Sequence, residues 1–283
     1  MLRVLAPAKI NLHLRILGRR EDGYHELETV FQAIDLADEL LIGKADKETT
    51  LDVPGHEDLE NDSNLVIRAV RWLEGKTGRR LPVAVRLVKN IPTAAGLGGG
   101  STDAAAALLG VRALYGLELS ENELLDGAAG LGADVPFFLV GGTAVGEGIG
   151  ERLSPIALPL DYALVLVNPR FSVSTATVFR NFSKTLTGES RNGRLWRIID
   201  RSRGIGELLH NDLQTTAERL YPEISDVLRA LEGAGAEQVL MTGSGPTVFA
   251  VVREGQTEEM ISRMPEKWNC FSARPVGTGM VIE

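Results

Sequence analysis

The chain has 283 residues and a formal net charge of −8, with 44% apolar and 24% charged residues, the balance of a globular protein with room for one large domain or two ordinary ones. It has no apolar run of the roughly 18 residues a membrane span needs. The acidic balance disfavours a general nucleic-acid or membrane-surface role but allows a small anionic ligand held by local positive potential. One cysteine, Cys270, excludes an internal disulfide and points to a reducing cytoplasm, and His13, His25, His56 and His210 show no metal-ligand spacing.

Residues 2–17 alternate, with Val4, Ala6, Ala8, Ile10, Leu12, Leu14 and Ile16 on one side and Arg3, Lys9, Asn11, His13 and Arg15 on the other. This pattern predicts a long strand or hairpin with one apolar face. The chain enters that strand with no basic region ahead of a long apolar stretch, so no signal peptide is expected. Residues 18–23 read as a turn, and 27–34, 38–43 and 83–87 as strands. A helix carrying Leu65, Val66, Ala69, Val70 and Leu73 is expected to close at Gly75. Further helices are expected over 104–115 and from Ser120 to about Gly130, the second opened by a Ser120–Glu123 capping box. Residues 141–148 read as strand and turn.

The second half predicts strands at 162–167, 239–242, 247–252 and 270–275, and helices at about 205–219, 223–231 and 257–264. That β-α-β-β-α-β order is the split βαβ, or ferredoxin-like, pattern. The chain is therefore α+β in two lobes, 1–155 and 156–283, joined near 154–160. Residues 183–203 are polar and charged and read as an exposed excursion.

The most informative run is Ile91-Pro92-Thr93-Ala94-Ala95-Gly96-Leu97-Gly98-Gly99-Gly100-Ser101-Thr102-Asp103, followed by four alanines. A glycine-rich loop that empties into a helix N-terminus offers unpaired backbone N–H groups and the positive end of the helix dipole, which suits a phosphate. Familiar phosphate motifs do not fit. Ser101 stands where a dinucleotide fingerprint needs its third glycine, and Gly75-Lys76-Thr77 has Val70 where a Walker A loop needs its first. Two charged residues stand in apolar settings. Lys9 lies in Pro7-Ala8-Lys9-Ile10-Asn11, and Asp134 precedes Val135-Pro136-Phe137-Phe138, where a partly buried acid needs a partner. A phosphate cradle, a cation and a carboxylate for an acceptor hydroxyl are the parts of a phosphoryl-transfer site.

Three segments resemble the three motifs of the GHMP kinase superfamily: Pro7-Ala8-Lys9-Ile10-Asn11-Leu12, the run over 92–107, and Thr242-Gly243-Ser244-Gly245-Pro246-Thr247. Asp22-Gly23-Tyr24-His25, Gly132-Ala133-Asp134-Val135-Pro136-Phe137-Phe138 and Asn211-Asp212-Leu213 are similar to the branch of that superfamily in the non-mevalonate isoprenoid pathway, whose substrate is a cytidyl diphosphate sugar alcohol. The resemblance spans residues 6–250. It implies a two-lobed GHMP kinase fold, with an N-terminal ribosomal-protein-S5-like lobe and a C-terminal ferredoxin-like lobe.

The resemblance also implies a reaction: ATP, with Mg²⁺, phosphorylates an alcohol group of a small molecule in the cytoplasm. On that resemblance Asp134 takes the acceptor's proton, and Lys9 orients it near the γ-phosphate. Pro92, Ala94, Ala95, Gly96, Leu97, Gly98, Gly99, Gly100, Ser101 and Thr102 would bind the nucleotide, with Ser101 or Thr102 available to Mg²⁺. Asn11 would meet the alcohol end of the substrate. Tyr24, His25 and Phe179 would form a cytidine pocket, and Thr175, Ser244 and Gly245 would support the substrate phosphates. The chain departs from the usual pattern with alanine instead of glycine at Ala94 and Ala95, and with Thr102 for a frequent serine. The expected assembly is a monomer or weak homodimer. The rival readings are a kinase for mevalonate, phosphomevalonate or homoserine, and a non-catalytic nucleotide-binding module.

Overall fold

The computed structural model describes residues 1–182, 194–201 and 204–283. In chain order the elements are β1 (Leu2–Arg19), β2 (His25–Lys44), β3 (Thr50–Asp52), α1 (Leu65–Thr77), β4 (Val83–Val88), α2 (Gly99–Tyr115), α3 (Glu121–Leu131), α4 (Val135–Val140), β5 (Thr143–Gly148), β6 (Arg152–Pro155), β7 (Ala163–Asn168), α5 (Thr175–Asn181), α6 (Arg194–Arg201), β8 (His210–Asn211), α7 (Gln214–Leu220), α8 (Glu223–Gly233), β9 (Gln238–Met241), β10 (Val248–Val252), α9 (Thr257–Ser262), β11 (Asn269–Ala273) and β12 (Val281–Ile282).

Two sheets result. One holds β12-β1-β2-β4-β3, with β5 and β6 continuing from β2 and β8 added in parallel to β1. The other is antiparallel in the order β11-β7-β10-β9, the ferredoxin-like arrangement expected of the second half. Strands after Pro155 nonetheless return to the first sheet, where β8 pairs with His13 and Leu14, and β12 with Val4 and Leu5.

β1 passes through three apolar clusters. Val4 and Ala6 pack with α1 and α2, and Ala8, Ile10 and Leu12 pack with Leu164, Leu166, Leu240 and Phe249 of the second sheet. Leu14 and Ile16 pack with Val165, Val167 and helices α7 and α8. One alternating strand thus nails the two sheets together. The side of β1 that carries Lys9, Asn11 and His13 is buried as well, at 3%, 2% and 6% exposure, so it is not a solvated strand face.

Several expected boundaries are corrected. Residues 27–34 and 38–43 belong to one strand, β2, interrupted by an irregularity after Ile34 where the register with β1 shifts. α1 runs through Gly75, and its cap is Gly78 at φ 64. α2 begins at Gly99, five residues earlier than expected, after a left-handed Gly98, so Ser101, Thr102 and Asp103 lie inside its first turns. The helix expected over 205–219 is broken into a 3-10 turn (Ile205–Leu208), β8 and α7. There Asn211 Oδ1 accepts the nearby Leu213 N–H, competing with a helix, while Asn211 Nδ2 and the Asp212 carboxylate bond to the distant backbone of Met241 and Ile16. α4 and α5 carry too short an apolar pattern to be foreseen. α4 forms with Pro136 at its start, where the missing N–H costs nothing. The excursion expected over 183–203 lies outside the described residues, except for α6 over 194–201.

The C-terminal segment crosses behind α4 at Gly141, which stands at φ 71; a Cβ there would lie 2.2 Å from the Gly279 Cα. Gly78 is equally left-handed but has open space around it. Gly78→Ala is expected to cost about 1–2 kcal/mol, and Gly141→Ala about 3 kcal/mol or more, because backbone cannot retreat as a side chain can. Thermal unfolding of the two variants measures the difference, and equal losses would refute the crossing.

Candidate active site

A cavity of about 1120 Å³ opens where the two sheets meet. At its centre the Lys9 Nζ, on β1, lies 3.5 Å from an Asp134 carboxylate oxygen. It also donates to Asn11 Oδ1 at 2.7 Å and lies 5.5 Å from the Phe31 ring centroid. Asn11 is itself fixed. Its Nδ2 donates to Thr29 Oγ1 at 2.8 Å, and its backbone N–H donates to Thr242 Oγ1 at 3.0 Å. Asp134 stands at the start of α4 but makes no capping bond, so its carboxylate faces Lys9 and the cavity with 35% of the side chain exposed. A cation inside the protein and an acid at the solvent edge therefore share one wall.

Pro92, Ala94, Ala95, Gly96, Gly98, Gly99, Gly100 and Ser101 line the cavity beside this pair. Leu97, Thr102 and Gly245 do not; Leu97 and Thr102 are buried behind the wall. The first N–H groups of α2 have no intrahelical acceptor by geometry and present positive potential here. The glycines have steric reasons. A Cβ on Gly96 would fall 2.6 Å from the Thr242 carbonyl oxygen, and one on Gly98 would fall 2.6 Å from Phe138 Cζ. Ala94 adopts φ 50 without being glycine, a strained conformation at the loop apex. Ser244 and Thr175 meet through their hydroxyls at 2.8 Å and line the same cavity.

Tyr24, His25, Phe179 and Phe182 line the far end. The His25 and Phe179 rings lie 5.3 Å apart, tilted by 35°, and Phe182 meets His25 edge-on at 6.3 Å. Tyr24 is 60% exposed. Burial, with the nearby Arg19 charge, lowers the pKa of His25 and so favours the neutral ring, with one donor and one acceptor.

Two groups were missed in the sequence. The first is a buried ion cluster, Lys89 between Asp38 and Asp103. Lys89 and Asp103 line the cavity. Burial alone would lower the pKa of Lys89, but the Asp103 and Asp38 charges raise it, whereas burial pushes the Asp103 carboxyl up. A lysine in the apolar strand end Leu87-Val88-Lys89 and an acid in the alanine-rich helix were the available signals. The second is Asn211, whose Nδ2 donates to the carbonyls of Met241 and Gly243 at 2.7 and 2.8 Å and so holds the turn that carries Thr242 and Ser244. Asn211 was visible within a motif, but its role depends on a contact across the fold.

Residues 64–142 match the family model for the GHMP kinases N terminal domain, and residues 199–270 match that for the GHMP kinases C terminal. The chain is 39% identical over 279 residues to the 4-diphosphocytidyl-2-C-methyl-D-erythritol kinase of Syntrophus aciditrophicus, covering 98% of this chain and 100% of that protein. It is 43% identical to the enzyme of the same name from Moorella thermoacetica, covering 95% and 96%. A crystal structure of 4-(cytidine 5'-diphospho)-2C-methyl-D-erythritol kinase superposes with TM-score 0.80 at 37% identity, over 98% of this chain and 100% of that one. A homoserine kinase from Cytophaga hutchinsonii superposes with TM-score 0.77 at 18% identity, over 100% and 97%, a likeness of fold alone.

Thr242→Val keeps the side-chain shape but leaves the buried Asn11 N–H without its acceptor, at a cost of about 1–3 kcal/mol. Thr242→Ser keeps the acceptor and is expected to retain most of the stability. Unfolding midpoints of the two variants decide it; equal losses would mean that the methyl group, not the hydroxyl, matters.

Proposed function

The chain belongs to the 4-diphosphocytidyl-2-C-methyl-D-erythritol kinase family of the GHMP kinases, and on that premise we propose that it moves the γ-phosphoryl group of ATP to the 2-hydroxyl of 4-diphosphocytidyl-2-C-methyl-D-erythritol, a step of the non-mevalonate isoprenoid pathway. The observation that carries this reading is one continuous cavity with the Lys9–Asp134 pair at its centre, the glycine loop on one side and the His25–Phe179 corner on the other.

The mechanism follows from charge and position. Phosphoryl transfer asks the protein mainly to align two oxygens and to offset the charge on the group in flight. The N–H groups of the glycine loop and the start of α2 cradle the phosphates. Asp134 accepts the hydrogen bond, and then the proton, of the acceptor hydroxyl as its oxygen attacks phosphorus and ADP leaves. Lys9 orients Asp134 and offsets charge near the γ-phosphate, while Asn11 anchors Lys9 and meets the methylerythritol end. Ser244 and Thr175 support the diphosphate.

Mg²⁺ takes oxygen ligands, usually one or two from protein beside phosphates and waters. The cavity wall offers this donor chemistry, with the Ser101 hydroxyl as the fitting group, since Thr102 lies behind the wall. Bound there, the ion would neutralise phosphate charge.

The aromatic corner favours a cytidyl acceptor over mevalonate or homoserine. Tyr24 and Phe179 offer flat faces for the base, and the neutral His25 ring can meet its polar edge. Residues 1–155, joined by β8 and β12, then form the nucleotide-binding lobe, and the rest of 156–283 the ferredoxin-like lobe. The single Cys270 fits a reducing, cytoplasmic setting, and a monomer or weak homodimer is the assembly we propose.

Asp134→Asn is expected to cut turnover by roughly 10²–10⁴-fold with ATP binding little changed, measured by ADP release. Near-normal turnover would remove Asp134 from the mechanism. Tyr24→Ala and Phe179→Ala are expected each to raise the KM for the cytidyl substrate about ten- to hundredfold, from lost stacking of about 1–3 kcal/mol, with ATP affinity held. Unchanged KM in both would move the base elsewhere.

A further inference from the structure

The loop over 90–98 leaves β4 and enters α2, and both of its ends are tied to one point on β2. The Asp38 carboxylate, fully buried on β2, accepts the N–H groups of Asn90 at 2.6 Å and Ile91 at 2.8 Å through one oxygen. Its other oxygen accepts from Lys89 Nζ. The same Nζ donates to Asp103 Oδ2 at 2.7 Å, inside α2 just past the loop. Asn90 Nδ2 adds a bond to the Ala37 carbonyl at 2.8 Å.

Lys89 and Asp103 side chains are only 4% exposed, and Asp38 is fully shielded, so water competes little for these bonds. Gly99 makes room for the ammonium; a Cβ there would lie 3.2 Å from Nζ. Between the tied ends stand the left-handed Ala94, Gly96 and Gly98. A segment with that much backbone freedom, and strain at Ala94, holds one shape only if its ends are fixed.

We infer that Lys89 is a positioning residue for phosphoryl transfer, the bridge of an Asp38–Lys89–Asp103 clasp that holds the glycine loop in its nucleotide-binding shape before the nucleotide arrives. The clasp rests on the ATP-loop reading above, and it acts through the loop backbone. It differs from Lys9 in touching neither the acceptor carboxylate nor Asn11, so its loss acts on nucleotide binding and not on the acceptor.

The test uses Lys89→Met, Lys89→Arg and Asp103→Asn in the full chain. In nucleotide-free Lys89→Met, amide hydrogen exchange over 90–102 is expected to speed up about tenfold or more while the β7–β10 sheet keeps wild-type rates. The ATP Kd, measured without acceptor, should rise about tenfold or more, and kcat at saturating ATP and the acceptor KM should stay within about threefold. Lys89→Arg, which can still bridge two carboxylates, should recover most of both. If Lys89→Met does not fold, Asp103→Asn, which keeps the shape and one acceptor, carries the test through the same loop exchange and ATP Kd, with a rise of about threefold. Unchanged loop exchange in a folded variant, or equal loss of ATP and acceptor binding, overturns the clasp. Exchange in the free protein needs no ATP, so wild-type protein that bound no ATP would sink the proposed function and leave the clasp to be judged on exchange.

Discussion

A lysine buried to 3% exposure cannot stand alone inside a protein, and the site is organised around that constraint. A buried charge costs several kcal/mol unless an opposite charge and hydrogen-bond acceptors surround it. Lys9 has all of these: Asp134 at 3.5 Å, Asn11 Oδ1 at 2.7 Å and the Phe31 ring face. Each requires a different part of the chain. Asn11 is held by Thr242 from the second half, Asp134 is delivered by the short α4, and Phe31 comes from β2. The ammonium therefore couples the geometry of the cavity to the closure of the two sheets on each other.

Backbone contact is the second organising element. The loop at Gly96 touches the carbonyls of Thr242 and Gly245 so closely that no Cβ fits between them. Asn211 grips the same turn from behind through the Met241 and Gly243 carbonyls, while Asp212 accepts the Ile16 N–H of β1. The Asn-Asp-Leu triplet is thus a structural joint between β1 and the third motif. The cavity floor is made of main chain held by amide and carboxylate side chains, which suits phosphates recognised by N–H groups.

Two lysines with buried side chains stand in different settings. Lys9 faces the acid at the cavity edge, whereas Lys89 is enclosed between two carboxylates at the root of the loop. Their environments differ because Lys9 meets one carboxylate that is partly in water, while Lys89 meets two that are not. The aromatic corner of His25, Phe179 and Phe182 is built separately, from the start of β2 and the end of α5, so it can vary without disturbing the ion pairs.

Much was legible in the residues alone. The alternation of β1, the Ser120–Glu123 capping box, the ferredoxin-like order of the second half and the glycine loop before a helix all follow from local periodicity and turn chemistry. Lys9 and Asp134 stood out because each is a charge in an apolar setting, and the structure brings them together. Local pattern could not show that β1 is covered on both sides, that α2 opens as early as Gly99, or that residues 205–219 break around Asn211. Nor could it pair Lys89 with Asp38 and Asp103, separated by 51 and 14 positions. Those outcomes turn on which segments meet across the fold. Periodicity encodes which side of a strand or helix is apolar, but only tertiary packing decides what covers the other side, and hence which buried charges find partners.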